Sequence, residues 1–264
     1  MKTKFYIIIL CYIIQHSYGY ANIPKKIVII SVPKCGTHLL GKCINLLGFE
    51  PSFKFTSAGT KEELQKHLNS KKNIMIHLSY KDEFKEILEQ PDIVTFFIYR
   101  DPRDQLASWA YYMLKHNQAL YINNNPPIST LTYDEVLNSL ITEGEKIYYY
   151  KNSNIRANDL YAYYHLFLPW QKYLFVCSIK FEDIIGPHGG GSLPRQIQTL
   201  TKIASHLHID LSPEKLEYVI ENLFGESHTF RKGKIGGWEE DFKVYHLYNF
   251  NNRFKKLCTE LGYD

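Results

Sequence analysis

Lys34, Gly36 and Thr37 stand together in Pro33-Lys-Cys-Gly-Thr-His-Leu39, a combination suited to binding an anionic oxygen cluster. Glycine lets a loop turn its N–H groups toward one point, and lysine adds a mobile positive charge. Cys35 and His38 belong to the same loop. A second pair, Arg100 and Ser108, joins a fork of N–H donors to a hydroxyl eight residues later, a spacing that allows both to grip one phosphate. A third stretch, Arg231-Lys-Gly-Lys-Ile-Gly-Gly-Trp238, carries three cations (Arg231, Lys232, Lys234) among three glycines, the composition of a charged lid. Each stretch alone has an ordinary alternative. The first is also a plain strand-to-helix turn, the second a surface ion pair beside an incidental serine, the third a solvated basic loop.

The elements around these residues favour the anion site. Ile27–Val32 is an apolar run rich in Val and Ile, as expected of a buried parallel strand. The loop follows, and Leu39, Leu40, Cys43, Leu46 and Leu47 trace a helical face that ends at Gly48, a C-terminal glycine cap. A second buried strand, Ile93–Tyr99, ends in Arg100; Asp101 is suited to cap the next helix and Pro102 to open it. Between and beyond these, the pattern predicts helix 61–69, strand 73–77, helix 82–89 and helix 103–116. Residues 117–130, with Asn123-Asn-Asn-Pro-Pro127, read as a substrate-side loop. Helices near 133–142 and 155–170 lead to a fourth strand, Tyr173–Ile179. Helices at 194–208, 213–223 and 243–261 close the chain. Gly186–Ser192 reads as an anion nest or as a flexible loop. This alternation predicts an α/β fold with a mainly parallel central sheet, helices on both faces and a P-loop-like nucleotide-binding core.

Gly36-Thr-His-Leu-Leu-Gly-Lys-Cys43 nearly spells the nucleoside-triphosphatase loop G-x-x-x-x-G-K-[ST]. Cys43, however, offers a thiol where Mg²⁺ takes a hydroxyl oxygen, and Gly41 and Lys42 fall within the apolar period of the helix. A Mg-nucleotide kinase is therefore the alternative, with Lys42 as an ordinary helix residue in the preferred reading.

Together the three stretches resemble the sulfotransferases that use 3′-phosphoadenosine 5′-phosphosulfate (PAPS). Pro33–Leu39 is similar to that family's P-K-S-G-T-T-W loop, Arg100–Ser108 to its R-N-P-x-D-x-x-x-S, and Arg231–Trp238 to its R-K-G-x-x-G-D-W. The resemblance spans residues 27 to about 243. It implies that Lys34, Cys35, Gly36, Thr37 and His38 serve the 5′ side of the donor and that Arg100, Ser108, Arg231, Lys232 and Gly233 hold its 3′-phosphate. It also implies that no metal takes part. In the place of the family's K-T-H-L strand end stands Asn73-Ile-Met-Ile-His77-Leu-Ser. Without the resemblance His77 reads as a structural histidine; with it, His77 is the general base for an acceptor hydroxyl or amine, with Lys34 facing the transferred group. Departures are Leu39 for the loop tryptophan, Met75 for a lysine, Phe181 for a tyrosine and Gly237 for the lid aspartate, the last expected to loosen the lid. They leave room for a catalytically inactive, sulfotransferase-like binding protein.

The chain has 264 residues, is 45% hydrophobic and carries a net charge of +4, enough to bury one substantial core and too little global charge to argue for nucleic acid. Residues 1–20, with Lys2 and Lys4 before the apolar run Phe5–Ile14, read as a secretory signal, followed by a single domain over 21–264. The expected location is secreted or exported, with a cytoplasmic alternative if that segment is a first strand or helix. About ten apolar residues are too few for a stable membrane span. There is no metal-ligand spacing of the C-x-x-C or H-E-x-x-H type. The expected partner is a small-molecule or glycan acceptor; oligomeric state leaves no signature. Cys35 in the phosphate loop argues for free thiols.

Overall fold

The computed structural model describes residues 26–49, 53–116, 130–142, 159–225 and 231–263. The expected signal at 1–20, most of the 117–130 loop and the start of the helix expected over 155–170 lie outside them. Strand β1 (Lys26–Ser31) leads through the loop at 32–36 into helix α1 (Thr37–Leu46). Strands β2 (Lys54–Thr56), β3 (Ile74–Ile76), β4 (Ile93–Tyr99) and β5 (Val176–Lys180) complete a parallel sheet in the order β2-β3-β1-β4-β5. All six residues of β1 are buried, as its unbroken apolar run requires of a central strand.

Helices α2 (Lys61–Leu68), α3 (Asp82–Leu88), α4 (Pro102–Lys115), α5 (Tyr133–Thr142), α6 (Leu160–His165) and α7 (Phe181–Ile184) follow, with 3₁₀ turns at Leu168–Lys172 and Pro187–Gly189. Helices α8 (Leu193–His206), α9 (Pro213–Leu223), α10 (Trp238–Asp241) and α11 (Val244–Leu261) end the described chain. The alternation of side chains along β1 and β4 separates two cores. Val28, Ile30 and Phe97 pack with Leu64, Phe84, Leu106, Val136 and Phe250, from α2, α3, α4, α5 and α11. Ile27, Ile29, Phe96 and Ile98 pack with Leu40, Ile44, Leu200, Ile203 and Val219, from α1, α8 and α9. Burying each such side chain contributes roughly 1.5–3 kcal/mol. The sheet is thus covered on both faces, and no helix among the described residues is long and apolar enough to cross a membrane.

Register positions the site. Ile30 lies opposite Ile76 of β3, and Ser31 opposite Ile98 of β4. The carboxyl ends of the three middle strands therefore lie side by side, bringing Ser31, His77 and Arg100 to one edge. β1 also runs between β3 and β4, so its following loop opens where the strand order reverses, the place where open α/β sheets bind ligands.

Two of the differences from the sequence expectation concern strands. β2 was not anticipated, because three largely exposed residues at a sheet edge carry too little periodicity to read. β5 begins at Val176 rather than Tyr173, since a 3₁₀ turn occupies Leu168–Lys172 and leaves Leu174 fully exposed before the strand.

Candidate active site

The loop after β1 is tightly wound. Lys34 has φ +67°, a left-handed conformation that a side-chain-bearing residue adopts at a cost of about 1–3 kcal/mol and that tends to occur at functional sites. Gly36 has φ +101°, and a Cβ there would lie 2.7 Å from Phe181 Cδ2, so glycine is required both by conformation and by space. Gly36 occupies the N-cap of α1 and makes no side-chain cap, so no capping group competes for the N–H groups of the first turn. Lys34, Gly36, Thr37 and His38 line one cavity with His77, Arg100, Ser108, Arg231, Lys232 and Gly233. The loop, both strand ends, α4 and the 231–233 segment thus meet around one space.

His77 sits at the end of β3, half-buried. Its Nδ1 lies 3.0 Å from the Ser31 carbonyl oxygen, which can only accept, so Nδ1 carries the proton and Nε2 the lone pair. The Ser31 hydroxyl lies 3.0 Å from the same nitrogen and 2.6 Å from Thr37 Oγ1, which links the histidine to the first turn of α1. Burial, opposed by the Ser31 bond and reinforced by Lys34 and His38, lowers the His77 pKa to about 4. The imidazole is therefore neutral at pH 7. The Phe55 ring from β2 meets its edge at 4.8 Å.

The cations are held differently from one another. The Lys34 ammonium lies 4.0 Å from the centre of the Tyr112 ring, and burial together with nearby Arg100 lowers its pKa to about 8. Arg100, only 8% exposed, lies over the Phe181 ring at 4.0 Å. Its Nη2 donates to the Lys234 carbonyl at 2.6 Å and lies 3.3 Å from Asp104 Oδ2. Its buried Nε has no hydrogen-bond partner among the described residues. A fixed guanidinium with an unused buried donor fits an incoming phosphate oxygen. Arg231 pairs with Asp241 at 2.5 Å, and Lys232 with Glu240 at 2.7 Å and Asp241 at 3.3 Å.

Asp104 organises the segment from Arg231 to Trp238. It accepts Gly236 N–H at 3.0 Å and Trp238 N–H at 2.9 Å, while the Arg103 guanidinium covers the Trp238 ring at 4.5 Å. The glycine at 237 therefore does not leave this segment loose: a carboxylate from α4 supplies the acceptor. From the other side, Ile235 N–H donates to the Gly189 carbonyl at 2.8 Å, and a Cβ on Gly189 would lie 2.6 Å from Gly233 O. Gly186–Ser192 is thus a platform for the Gly233–Ile235 backbone, neither an anion nest nor a plain flexible loop.

Other positions also differ from expectation. Cys35 does not line the cavity: its thiol is wholly buried 3.8 Å from the Tyr164 hydroxyl, and its N–H is turned back to the Val32 carbonyl at 3.3 Å. Met75 is core, its sulfur 3.2 Å from where a Gly41 Cβ would lie. Lys42 does reach the cavity, with Leu39, Ile185 and Gly225, and its Nζ lies 3.4 Å from the Phe224 carbonyl. Cys43, where a kinase loop carries its Mg²⁺-binding hydroxyl, is fully buried in the core on the α1 side of the sheet. Ser31, Phe55 and Tyr112 were not anticipated. Ser31 carried one signal, a polar residue closing an apolar strand. All four cysteines among the described residues are buried and free.

No family profile and no curated protein matches the sequence. Solved structures do. Mouse sulfotransferase SULT7A1 complexed with PAP superposes with a TM-score of 0.60 at 19% identity, over 89% of this chain and 85% of that one. Retinol dehydratase in complex with androsterone and the inactive cofactor PAP gives 0.57 at 13% identity, over 92% and 83%. Its complex with retinol and PAP gives 0.58 at 14%, over 92% and 84%. The chain has the sulfotransferase-type α/β fold.

Proposed function

We propose that the protein transfers a sulfuryl group from PAPS to the hydroxyl, or amine, of a small-molecule acceptor. One observation carries this reading: His77, neutral and with its tautomer set by the Ser31 carbonyl, shares a cavity with Lys34 and with Arg100, whose buried Nε has no partner among the described residues. The fold shared with PAP-bound sulfotransferases supports it.

When bound, PAPS supplies an activated sulfuryl group joined to its 5′-phosphate. Arg100, Ser108, Arg231, Lys232 and Gly233 hold the 3′-phosphate, with Arg100 Nε as the donor awaiting it. Gly36, Thr37 and His38 would receive the 5′ end at the start of α1, and Lys34 would supply positive charge beside it. Leu39, Phe181, Ile185 and Lys42 take the base end, replacing the aromatic side chain that Leu39 lacks. His77 Nε2 accepts the proton of the acceptor hydroxyl, and the Ser31 carbonyl steadies the imidazolium that forms at Nδ1. Phe55 and Trp109 offer aromatic walls to the acceptor.

The test is consumption of PAPS by the purified protein over a panel of phenols, alcohols, amines and sugars, with binding of adenosine 3′,5′-bisphosphate (PAP) measured by calorimetry. His77→Ala is expected to lower turnover by about 10²–10⁴-fold and to leave PAP affinity within a few-fold. Binding without turnover across the panel points to a binding protein of the same fold. Absence of both sinks the proposal.

A further inference from the structure

Among the described residues, no carboxylate pairs with Lys34. Its ammonium rests instead on the face of Tyr112, 4.0 Å from the ring centre, and the lysine backbone is in the left-handed region at φ +67°. Helix α4 grips the same loop one residue earlier, where Gln105 Nε2 donates to the Pro33 carbonyl at 3.1 Å in a buried contact. Gln105, Ser108 and Tyr112 recur at three- and four-residue spacing along one side of α4, so a single helix face carries the loop anchor, a phosphate-side hydroxyl and the aromatic ring. Among the described residues, the charged and titratable groups that act on Lys34 are Arg100 at the end of β4, His77 at the end of β3 and Cys35 in its own loop. Arg100 and any protonated His77 repel the ammonium, and Cys35 is buried as a neutral thiol. An aromatic face is then the attractive partner the site supplies, and a cation over such a face gains about 0.5–1 kcal/mol when exposed and about 2 or more when desolvated.

We propose that Tyr112 is a positioning residue for Lys34, its ring holding the ammonium across the mouth of the phosphate loop and aimed into the cavity. A carboxylate there would hold the lysine more firmly but would repel the anionic donor and compete with it. A ring attracts the cation without bearing charge, so the lysine is kept in place and still released to an anion. The hydroxyl of Tyr112 has no part in this role. The functional half of the inference rests on the sulfuryl-transfer reading; the Lys34–Tyr112 pairing does not.

The test compares wild type with Tyr112→Phe and Tyr112→Leu. Trace acetic anhydride labelling read by mass spectrometry across pH 6.5–9 reports the fraction of Lys34 that is deprotonated and reachable, whether or not the protein turns over. The Leu variant is expected to label at Lys34 about twofold to fourfold faster at pH 7.5, while Phe keeps the wild-type rate. A distant lysine such as Lys202 is the internal control for folding. Equal labelling in Leu and wild type, or a Phe variant that behaves as Leu does, overturns the pairing. In parallel, single-turnover PAPS consumption is expected to fall about tenfold in Leu with PAP affinity within a few-fold, and to recover in Phe. Unchanged turnover in Leu overturns the functional role. A wild type that consumes no PAPS defeats the sulfuryl-transfer reading, while the labelling still decides the pairing.

Discussion

Asp104 Oδ2 lies 3.3 Å from Arg100 Nη2, and the same carboxylate receives the N–H groups of Gly236 and Trp238. One buried side chain therefore ties the cavity-lining Arg100 guanidinium to the segment that follows Lys232 and Gly233. Burial pushes the Asp104 pKa up, and Arg100 with the two backbone N–H groups opposes that rise, so the charged form is held by its partners rather than by water. Asp104→Asn puts an NH₂ where an acceptor is needed and leaves Arg100 with an uncompensated buried charge. We expect a loss of about 2–4 kcal/mol in urea unfolding and a PAP affinity at least tenfold weaker, by calorimetry. An Asn variant with wild-type stability and affinity would show that the carboxylate is incidental.

Cys35 is expected to be inert. Its thiol is fully buried, and burial raises its pKa to about 12 despite the Tyr164 hydroxyl and nearby Arg100. Native protein treated with a thiol-specific disulfide reagent should leave Cys35 unmodified until urea is added. Cys35→Ser keeps the volume and gives the hydroxyl a partner in Tyr164, so PAP binding should change by less than about threefold. Rapid labelling of native Cys35 would contradict the buried placement.

Much of this was legible because the signals were local. β4 runs over the Ile93–Tyr99 expected from its apolar run, and Asp101 caps α4 with Pro102 at its first position, as their residue types demand. The parts that were not legible depend on register and on distant contacts. His77 was picked out of eleven histidines by its place in the motif resemblance, but its partner Ser31 appears only once β3 pairs with β1. The compensation for Gly237 comes from Asp104, whose contact with Gly236 N–H bridges a separation of 132 residues that no motif spacing reveals. Lys42 read as a helix residue because its neighbours follow an apolar period; its long side chain still reaches the cavity from α1.

Lys34 and Lys42 should separate the two nucleotide chemistries. A Mg-nucleotide enzyme would need Lys42 on the phosphates and a metal ligand at Cys43, whose thiol is buried and pushed up to about 12. Lys42 instead lies 3.4 Å from the Phe224 carbonyl, beyond Leu39. Lys34→Ala is expected to cut PAPS turnover by at least about a hundredfold, the scale of removing one charge stabiliser. Lys42→Ala should weaken PAP binding by less than about tenfold and leave the maximal rate nearly intact. Magnesium-dependent ATP binding that survives Lys34→Ala and fails in Lys42→Ala would favour the kinase chemistry.

The pH profile tests His77 most directly. A general base must be neutral in the free protein, and its pKa here is lowered to about 4, chiefly by burial. The value of kcat/KM should therefore stay nearly flat from pH 7 down to 5, where an ordinary histidine with a pKa near 6.5 would lose roughly thirtyfold. On the alkaline side, Lys34 loses its proton near pH 8, so kcat/KM should decline above that value. Stability follows the same group with a definite sign. Between about pH 4 and 6.5 the unfolded chain binds a proton at His77 that the folded chain does not, so unfolding free energy rises with pH through that window and is fully present above it. His77→Asn removes this titration and should flatten that part of the stability curve while abolishing turnover. Ser31→Ala keeps the backbone carbonyl that receives Nδ1–H, so the acid side of the profile should not move. An acid limb centred near 6.5 in wild type would show that burial does not hold the imidazole neutral, and one that shifts in Ser31→Ala would show that the hydroxyl, and not the carbonyl alone, sets the histidine.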